Sequence, residues 1–356
     1  MVKLGDVINV HYGKALKADQ RVSNGSVHVF GSSGIVGNHD KTLCSYPTII
    51  IGRKGSVGAI TWAPDGGWII DTAYYVEIKD NNKLDLRYLF YILSGIDLTK
   101  KTITTSIPGL NRDDLYDTFI KLPPFEEQKR IVDLLDKAEG IRQKREQAIK
   151  LADDFLRATF ATMYGNPITN PKKWPVHLMG EIIEFKGGNQ PPKSDFIFEP
   201  KQGYIRLVQI RDFKSDKYAT YIPQEKAKRI FEVDDVMIAR YGPPVFQILR
   251  GLSGSYNVAL MKASPKENIR KGFIFYLLQL PEYHDVVVKN SERTAGQTGV
   301  NLELLNKFNV PLPPIYYQDE ILARLARIEK FKEKIEISLN NLEMQFLSLQ
   351  KRLMVF

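Results

Sequence analysis

Two long stretches of the chain place apolar residues at alternating steps of three and four, and each stretch follows a Pro-Pro pair. The first series runs Ile131, Leu134, Ala138, Ile141, Arg145, Ala148, Ala152, Phe155. The second series runs Ile321, Leu325, Ile328, Lys332, Ile335, Leu339, Leu342, Phe346, Leu349, Leu353. A period of 3.5 residues sustained over several heptads is typical of a coiled-coil seam. The pattern therefore predicts two long helices, each with one basic residue in its seam.

We expect these two helices to pack on each other, antiparallel, and to form a rod between two domains. A helix of about 40 residues is about 60 Å long, which is between one and two turns of B-DNA at ~34–36 Å per turn. In the alternative arrangement each helix packs on its own domain, although the heptads continue for longer than such packing requires.

The chain also contains an internal repeat. Several residues around the start of the first long helix recur 190 positions later, so that Asn111, for example, corresponds to Asn301. The identical residue types are Asn111, Leu115, Leu122, Pro123, Pro124 and Gln128, which return as Asn301, Leu305, Leu312, Pro313, Pro314 and Gln318. Residues 4–8 resemble residues 179–183, and residues 50–55 faintly resemble residues 237–242. A duplicated frame with divergent contents is expected where two scaffold copies carry different specificities.

The divergent regions have the pattern of mixed α/β domains. Apolar runs and alternation predict strands over 48–51, 68–70, 76–78 and 204–210, and helices over 86–93 and 273–278. Gly165 and two Asn-Pro steps end the first long helix and mark a boundary. We therefore expect a first domain over 1–124, a central coiled-coil helix over 125–164, a linker over 165–178, a second domain over 179–314 and a distal coiled-coil helix over 315–356.

This order of variable domain, Leu-Pro-Pro-x-x-x-Gln helix, Gly-Asn-Pro linker, second variable domain and second Pro-Pro-x-x-x-Gln helix closely resembles the specificity subunit of type I restriction–modification enzymes. The resemblance covers essentially the whole chain. It implies two α/β (α+β) target-recognition domains, joined by two long antiparallel coiled-coil helices with a pseudo-twofold internal repeat. It also implies that the chain binds an asymmetric, bipartite site on double-stranded DNA.

The resemblance further implies partners and the absence of catalysis. Two methyltransferase subunits and the restriction, or motor, subunits would assemble on the chain. S-adenosylmethionine would bind the methyltransferase subunits and ATP the motor subunits, so we expect no cofactor, no metal and no catalytic residue here.

The charge and the cysteine content agree with this expectation. The formal net charge of +9 favours a polyanionic partner, because each neutralised phosphate releases condensed counterions. A single cysteine, Cys44, indicates a reducing compartment, and no apolar stretch is long enough to span a bilayer. We therefore expect a cytoplasmic location and no membrane partner.

Polar loops that carry Arg, Lys, Asn or Gln beside glycines are the candidate DNA contacts, since these side chains present fixed donor–acceptor pairs to base edges. Arg53-Lys54 and Arg240-Tyr241 are favoured because they recur at corresponding places. The candidates in the first domain are Ser32, Asn38, His39, Arg53, Lys54, Ser56, Lys101, Thr102, Thr105 and Ser106. Those in the second domain are Lys186, Asn189, Gln190, Gln209, Arg211, Arg240, Tyr241, Arg293, Thr294, Gln297 and Thr298. Asn111 and Asn301 are expected to cap helices.

Two other functions stay open at this point. Pro64-Asp65 followed by Glu77-Ile78-Lys79 fits the pattern of a stand-alone Mg²⁺-dependent DNA nuclease, although its spacing is loose. The chain could also be a non-DNA helical adaptor whose two domains bind proteins. Methyl transfer is not expected, because Leu122-Pro123-Pro124-Phe125 lacks the polar residue that would hold the amine of a flipped base.

Overall fold

The computed structural model describes residues 1–103, 109–242, 244–291 and 299–354. The chain divides into two compact units, and each is described by itself. The first unit comprises Met1–Gln147 and the end of the chain from Ile335 onward, and the second comprises Ala148–Lys334. Within the described residues, no helix has both the length and the apolar character that crossing a membrane requires.

The first unit is a mixed α/β unit with a four-stranded sheet in the order β2-β8-β5-β6 and a three-stranded sheet in the order β4-β3-β7. Its elements before the first long helix are β1 (Val2–Lys3), α1 (Leu4–Val7), β2 (Ile8–Tyr12), β3 (Val27–Gly31), β4 (Gly34–His39), β5 (Thr48–Gly52), β6 (Ile60–Ala63), β7 (Trp68–Ile69), β8 (Ala73–Ile78), α2 (Leu86–Gly95), β9 (Thr102–Ile103), β10 (Gly109–Leu110), α3 (Arg112–Tyr116) and β11 (Phe119–Ile120). The strands and the helix predicted for this region are confirmed within one to three residues.

The isoleucine run of β5 explains the position of the core in the first unit. All five residues of β5 are buried, because the strand is central in its sheet and α2 covers it. Helix α2 starts at a polar cap, where the Asp85 carboxylate accepts a hydrogen bond of 2.8 Å from the Tyr88 N–H. Its apolar face then packs Tyr88, Leu89 and Ile92 into the same core as Ile49.

The second unit is also mixed, with four-stranded sheets in the orders β13-β20-β17-β18 and β15-β14-β19-β16. The elements that follow β11 are α4 (Phe125–Tyr164), β12 (Val176–Leu178), α5 (Met179–Ile182), β13 (Ile183–Gly187), β14 (Tyr204–Val208), β15 (Tyr221–Pro223), β16 (Ile230–Phe231), β17 (Val236–Ala239), β18 (Ile248–Leu249), β19 (Gly254–Tyr256), β20 (Leu260–Pro265), α6 (Lys271–Leu277), α7 (Pro281–Lys289), α8 (Leu302–Asn306), β21 (Asn309–Pro311) and α9 (Ile315–Met354). The Phe160 ring of α4 packs 5.2 Å from that of Phe273 in the core of this unit.

The strand predicted over 204–210 is shorter than expected. It ends at Val208, and a 3-10 turn over Ile210–Phe213 follows. The Asp212 carboxylate accepts a hydrogen bond of 2.7 Å from the Gln209 N–H, which closes this turn and stops the ladder. The alternation of apolar residues alone did not reveal that this side-chain hydrogen bond would replace the strand's backbone pairing.

The glutamine of each Pro-Pro-x-x-x-Gln motif anchors the start of a long helix. Gln128 is completely buried; its amide donates to the carbonyls of Lys83 (2.7 Å) and Pro123 (2.9 Å) and accepts from the Asp85 N–H (2.9 Å). Gln318, also completely buried, makes the same three bonds in the second unit, with the Asn268 and Pro313 carbonyls (2.8 Å each) and the Arg270 N–H (2.9 Å). The motif therefore ties each helix to the domain before it.

A second contact of the same kind lies further along each long helix. In the first unit the Asp136 carboxylate accepts from the Tyr91 hydroxyl and, at 2.9 Å, from the Arg87 guanidinium. In the second unit the Glu329 carboxylate accepts from the Tyr276 hydroxyl and from Arg250. The tyrosine keeps its place in α2 and α6, but the carboxylate lies eight residues after Gln128 in one helix and eleven after Gln318 in the other. The arginine also differs, because it comes from α2 in one unit and from the residue after β18 in the other.

Each long helix contributes one segment to each unit, and the segments contact each other inside it. In the first unit the Arg145 guanidinium donates to the Ser338 carbonyl at 2.8 Å. In the second unit the Lys332 ammonium lies 2.6 Å from the Asp153 carboxylate. The two basic residues of the apolar series therefore both bind the facing helix segment.

Candidate nucleic-acid interface

Several strands of the first unit end close together and place loop residues side by side. The Arg53 N–H, just after β5, donates to the Thr72 carbonyl at 2.9 Å, and the Lys14 N–H, after β2, donates to the Ile69 carbonyl at 2.9 Å. Gly52 allows the close approach, because a Cβ there would lie 2.0 Å from the Ser56 carbonyl oxygen and 2.8 Å from that of Ser32. The candidates Ser32, Arg53, Lys54 and Ser56 are therefore neighbours.

The segment that carries Lys101 and Thr102 reaches the same place. Strand β9, which starts at Thr102, pairs with β10, and the Leu110 N–H of β10 donates to the Arg53 carbonyl at 3.0 Å. Lys54 forms a bridge to Gly109 on the same strand. Thr105 and Ser106 lie outside the described residues.

Two aromatic rings hold the Arg53 side chain. Its guanidinium lies 5.1 Å from the centre of the Tyr12 ring and 5.7 Å from that of Tyr74, and it donates to the Asp71 carbonyl at 3.3 Å. Burial raises the pKa of Tyr74 to about 12, so this ring stays neutral at physiological pH. The Arg112 guanidinium also lies over Tyr12, at 5.3 Å. Tyr12 and Arg112 were not among the predicted residues.

Asn38 and His39 lie away from this group. They belong to the β3–β4 hairpin, whose tip is the Gly31–Gly34 pair, and Asn38 is four residues from that tip, about 13 Å along the strand. The Asn38 amide oxygen lies 3.0 Å from the His28 ring, and the His39 ring packs on Trp68 with centroids 5.4 Å apart. The structure therefore does not bring these two candidates to the other loop residues.

The second unit joins its strand ends through equivalent backbone bonds. The Arg240 N–H, after β17, donates to the Ala259 carbonyl at 2.8 Å, and the Val300 N–H donates to the Arg240 carbonyl at 3.0 Å. The Asn189 N–H, after β13, donates to the Tyr256 carbonyl at 3.1 Å. Arg240, half-buried, lies over the ring of exposed Tyr241 at 5.1 Å. These are the counterparts of the bonds at Arg53 and Lys14.

The remaining described candidates of the second unit surround this point. Lys186 precedes Gly187, where a Cβ would lie 3.0 Å from the Arg240 guanidinium, and the Lys186 ammonium pairs with Glu184 at 3.2 Å. Gln190 is exposed next to Asn189. Arg293, Thr294, Gln297 and Thr298 lie outside the described residues.

Gln209 and Arg211 lie on the 3-10 turn that follows β14. The Asn257 N–H, after β19, donates to the Val208 carbonyl at 3.2 Å, which joins this turn to the strand ends around Asn189. Arg211 is exposed and lies 5.4 Å from the Tyr218 ring centre. Burial raises the pKa of the Asp212 carboxyl that closes the turn.

The predicted helix caps are confirmed. The Asn111 side chain accepts from the Asp113 N–H at 3.2 Å, and that of Asn301 accepts from the N–H groups of Glu303 (3.1 Å) and Leu304 (3.2 Å). Each cap orients a short helix that begins two residues after the residue, Leu110 or Val300, whose N–H donates to the Arg53 or Arg240 carbonyl.

A family model described as type I restriction modification DNA specificity domain matches residues 1–151 and 171–343. This chain belongs to that family. Its relatives include the type I restriction enzyme EcoBI specificity subunit of Escherichia coli, which is 23% identical over 83% of this chain and 70% of its own length. The MjaVIII specificity subunit of Methanocaldococcus jannaschii is 21% identical over 74% of this chain and 69% of its own length.

Solved structures of specificity subunits have the same fold. The S subunit of a type I restriction-modification system from M. genitalium aligns with a TM-score of 0.61 at 16% identity, covering 99% of this chain and 95% of that one. A chain from a study of assembly and conformational transition of the type I R-M system aligns with a TM-score of 0.57 at 19% identity, covering 99% and 96%. The predicted family is thus confirmed, and so is the predicted mixed helix and sheet content with long helices.

Type I specificity subunits recognise the DNA sequence and are non-catalytic, which decides against the nuclease and adaptor alternatives. The geometry around the loose nuclease motif agrees. The Glu77 carboxylate lies 3.0 Å from the His11 ring, and the Lys79 ammonium donates to the Gly5 carbonyl at 2.5 Å. In the part of the chain that the structure describes, no three acidic, histidine or cysteine side chains form a group that could hold a metal.

Proposed function

We propose that this specificity subunit reads an asymmetric, two-part site on double-stranded DNA and carries two methyltransferase subunits and the restriction subunits, in the cytoplasm. In this proposal residues 1–124 and 179–314 are the two readers. Residues 125–164 and 315–356 are antiparallel coiled-coil helices that keep the readers a fixed distance apart, and 165–178 is the linker.

One observation carries the proposal: the two units share a backbone frame but differ in the side chains that the frame presents. The carbonyl of Arg53 accepts from Leu110 as that of Arg240 accepts from Val300, both at 3.0 Å. Gly55 and Gly242 follow two residues later, each with a positive φ, 78° and 89°. The side chains around this shared frame differ between the two units. Two readers built on the same backbone would therefore select different bases.

The DNA contacts that we propose are the loop residues at these strand ends. They are Ser32, Arg53, Lys54 and Ser56 in the first reader, and Lys186, Asn189, Gln190, Gln209, Arg211, Arg240 and Tyr241 in the second. Lys101, Thr102, Thr105 and Ser106, and likewise Arg293, Thr294, Gln297 and Thr298, extend these two groups as predictions from the sequence. Asn38 and His39 stay predictions with less support, since both contact other side chains of their own unit.

The coiled-coil part of the proposal rests on contacts inside each unit. Arg145 and Lys332 each interrupt one of the apolar series, and each binds the facing helix segment. A polar contact at one seam position costs stability in a coiled coil but selects one register. A fixed register is what a spacer of constant length requires.

Apolar side chains left exposed on the long helices are the surfaces that we assign to the methyltransferase subunits. In the second unit Leu151, Phe155 and Phe331 are 59%, 60% and 61% exposed and line a groove of about 520 Å³. In the first unit Leu342, Phe346 and Leu347 line a groove of about 280 Å³. Exposed apolar surface of this kind marks protein-binding sites, and two grooves fit two copies of one partner.

The test is to map methylated adenines in a host that expresses the chain with its methyltransferase subunits. We expect one motif composed of two different short blocks and a spacer of constant length. A contiguous or palindromic motif, or no motif that depends on this chain, would contradict the proposal.

A further inference from the structure

An exposed tyrosine of the first unit lies between two arginines that form no ion pair with any residue the structure describes. Tyr12 is 46% exposed, and the guanidinium groups of Arg53 and Arg112 lie 5.1 and 5.3 Å from its ring centre. Ion pairs in this unit use other cations, such as Lys3 and Arg87, and within the described residues neither Arg53 nor Arg112 forms one. Two like charges held together in this way favour an electron-rich partner.

The arginine pair is held in place from both sides. The backbone of Arg53 is fixed by bonds to Thr72 (2.9 Å) and Leu110 (3.0 Å), and its side chain donates to the Asp71 carbonyl at 3.3 Å. Arg112 is the first residue of α3, directly after the capping Asn111. Its Nε is buried and has no hydrogen-bond partner among the described residues. Guanidinium groups fixed this way lose little entropy when they bind a planar, bidentate acceptor.

The second unit lacks this arrangement at the equivalent positions. Gly13 and Gly188 correspond, because each donates its N–H to the carbonyl of the first residue of a strand. Gly13 donates to Ala73 at 3.2 Å, and Gly188 donates to Leu260 at 3.0 Å. The counterpart of Tyr12 is therefore Gly187. The counterpart of Arg112, the first residue after its capping asparagine, is Leu302. Arg240 lies instead over the ring of its neighbour Tyr241, and among the described residues no second arginine shares that ring as Arg112 shares the Tyr12 ring with Arg53.

We propose that Arg53, braced by Tyr12 and Arg112, reads a guanine in the half-site of the first reader. The inference rests on the proposed function and adds to it the identity of one base. Guanine presents two acceptors, O6 and N7, in the major groove, and a guanidinium fork matches both. Lys54, next along the chain, is exposed and carries a point charge, which suits a phosphate instead.

The asymmetry between the units gives this proposal its direction. The second reader offers the amides of Asn189, Gln190 and Gln209 around Arg240, and amide side chains pair with the N6 and N7 groups of adenine. The dependence on guanine through a braced arginine is therefore assigned to the half-site of the first reader.

The experiment is selection of bound duplexes from a randomised DNA library by the full chain in complex with its methyltransferase subunits. Three proteins are compared: the unmodified chain, Arg53→Lys and, as the matched control, Arg240→Lys. Lysine keeps the positive charge and removes the fork. We expect Arg53→Lys to lower the preference for guanine about tenfold or more at one position of one half-site, with the other half-site unchanged. Arg240→Lys should leave that guanine in place.

A second variant separates reading from folding. Tyr12→Leu removes an exposed ring and should weaken the same guanine preference, while the melting temperature changes little. The proposal is overturned if Arg53→Lys weakens all sequences equally, as loss of a phosphate contact would, or if the unmodified chain selects no guanine in the affected block. If the unmodified chain selects no two-part motif at all, the proposed function itself fails.

Discussion

Gln128 is the residue on which the start of the first long helix depends most directly. Replacing it by leucine keeps a similar volume but removes the partner of two carbonyls and one N–H at a part-buried site. Each such group costs about 1–3 kcal/mol. We expect Gln128→Leu to lower the free energy of unfolding by about 2–5 kcal/mol, measured by urea denaturation of the full chain. Gln318→Leu should have the same effect, because Gln318 makes the same three bonds.

Gln143 provides the control for this prediction on the same helix. It is exposed, and its amide donates to the carboxylate of Glu139, one turn away on the same helix. Gln143→Leu should change the free energy of unfolding by less than about 0.5 kcal/mol. Equal effects of the two substitutions would show that the buried glutamine is not an anchor.

Sequence reasoning named Arg53 as a candidate but not Tyr12 or Arg112, for a physical reason. Arg53 stands beside glycines in a segment that recurs faintly in the second half. Tyr12 and Arg112 are 41 and 59 positions away from it. The pairing of both β2 and β5 with β8 brings Tyr12 close, and the hydrogen bond from the Leu110 N–H to the Arg53 carbonyl brings Arg112 close. The available signal was a difference: where the repeat has Leu302, the first copy has Arg112.

At the scale of elements, the long helices were predictable because a 3.5-residue period is a local signal. The position of a hairpin's residues relative to other loops, in contrast, is not determined by the local sequence. Asn38 is six positions from Ser32, yet the hairpin places it at the other end of its strands. The contacts of Asp136 and Glu329 were also missed. The two carboxylate side chains differ in length, and their arginine partners come from different elements. The two contacts therefore share no sequence motif that would reveal them.

The groove on the long helices leads to a prediction about assembly. Phe331→Asp places a charge among Leu151 and Phe155, which we assign to the methyltransferase subunit. A buried aromatic side chain at an interface often carries more than 2 kcal/mol of binding free energy, so we expect at least about tenfold weaker binding. Affinity is measured by titrating purified methyltransferase subunit onto the immobilised full chain.

The control for this variant is another exposed phenylalanine of the same unit. Phe198 is 71% exposed and lies in the loop before β14. Phe198→Asp should leave the affinity for the methyltransferase subunit unchanged, and both variants should melt as the unmodified chain does. If Phe331→Asp binds as tightly as the unmodified chain, the groove is not the docking surface.

At the scale of the whole molecule, the duplication was predictable in its frame and not in its contents. The anchoring glutamines, the capping asparagines and the Pro-Pro pairs recur at one spacing, since each serves a backbone need that both units share. The side chains at the strand ends do not recur, because nothing in the backbone selects them. In the function that we propose, their chemistry follows from the base that each reader contacts.

The net charge leads to the last prediction. With a formal charge of +9, binding to duplex DNA should weaken steeply as salt rises, with a slope of about −4 or steeper in a double-logarithmic plot. Lys54 is exposed beside Gly55, so its ammonium can reach a phosphate. Lys54→Gln should reduce the steepness of that slope by about 0.9 and weaken every sequence alike. Lys150→Gln, at an exposed position of α4, should change neither. A shallow slope, or a change of preferred sequence in Lys54→Gln, would contradict the assignment, because a phosphate contact carries charge but no base identity.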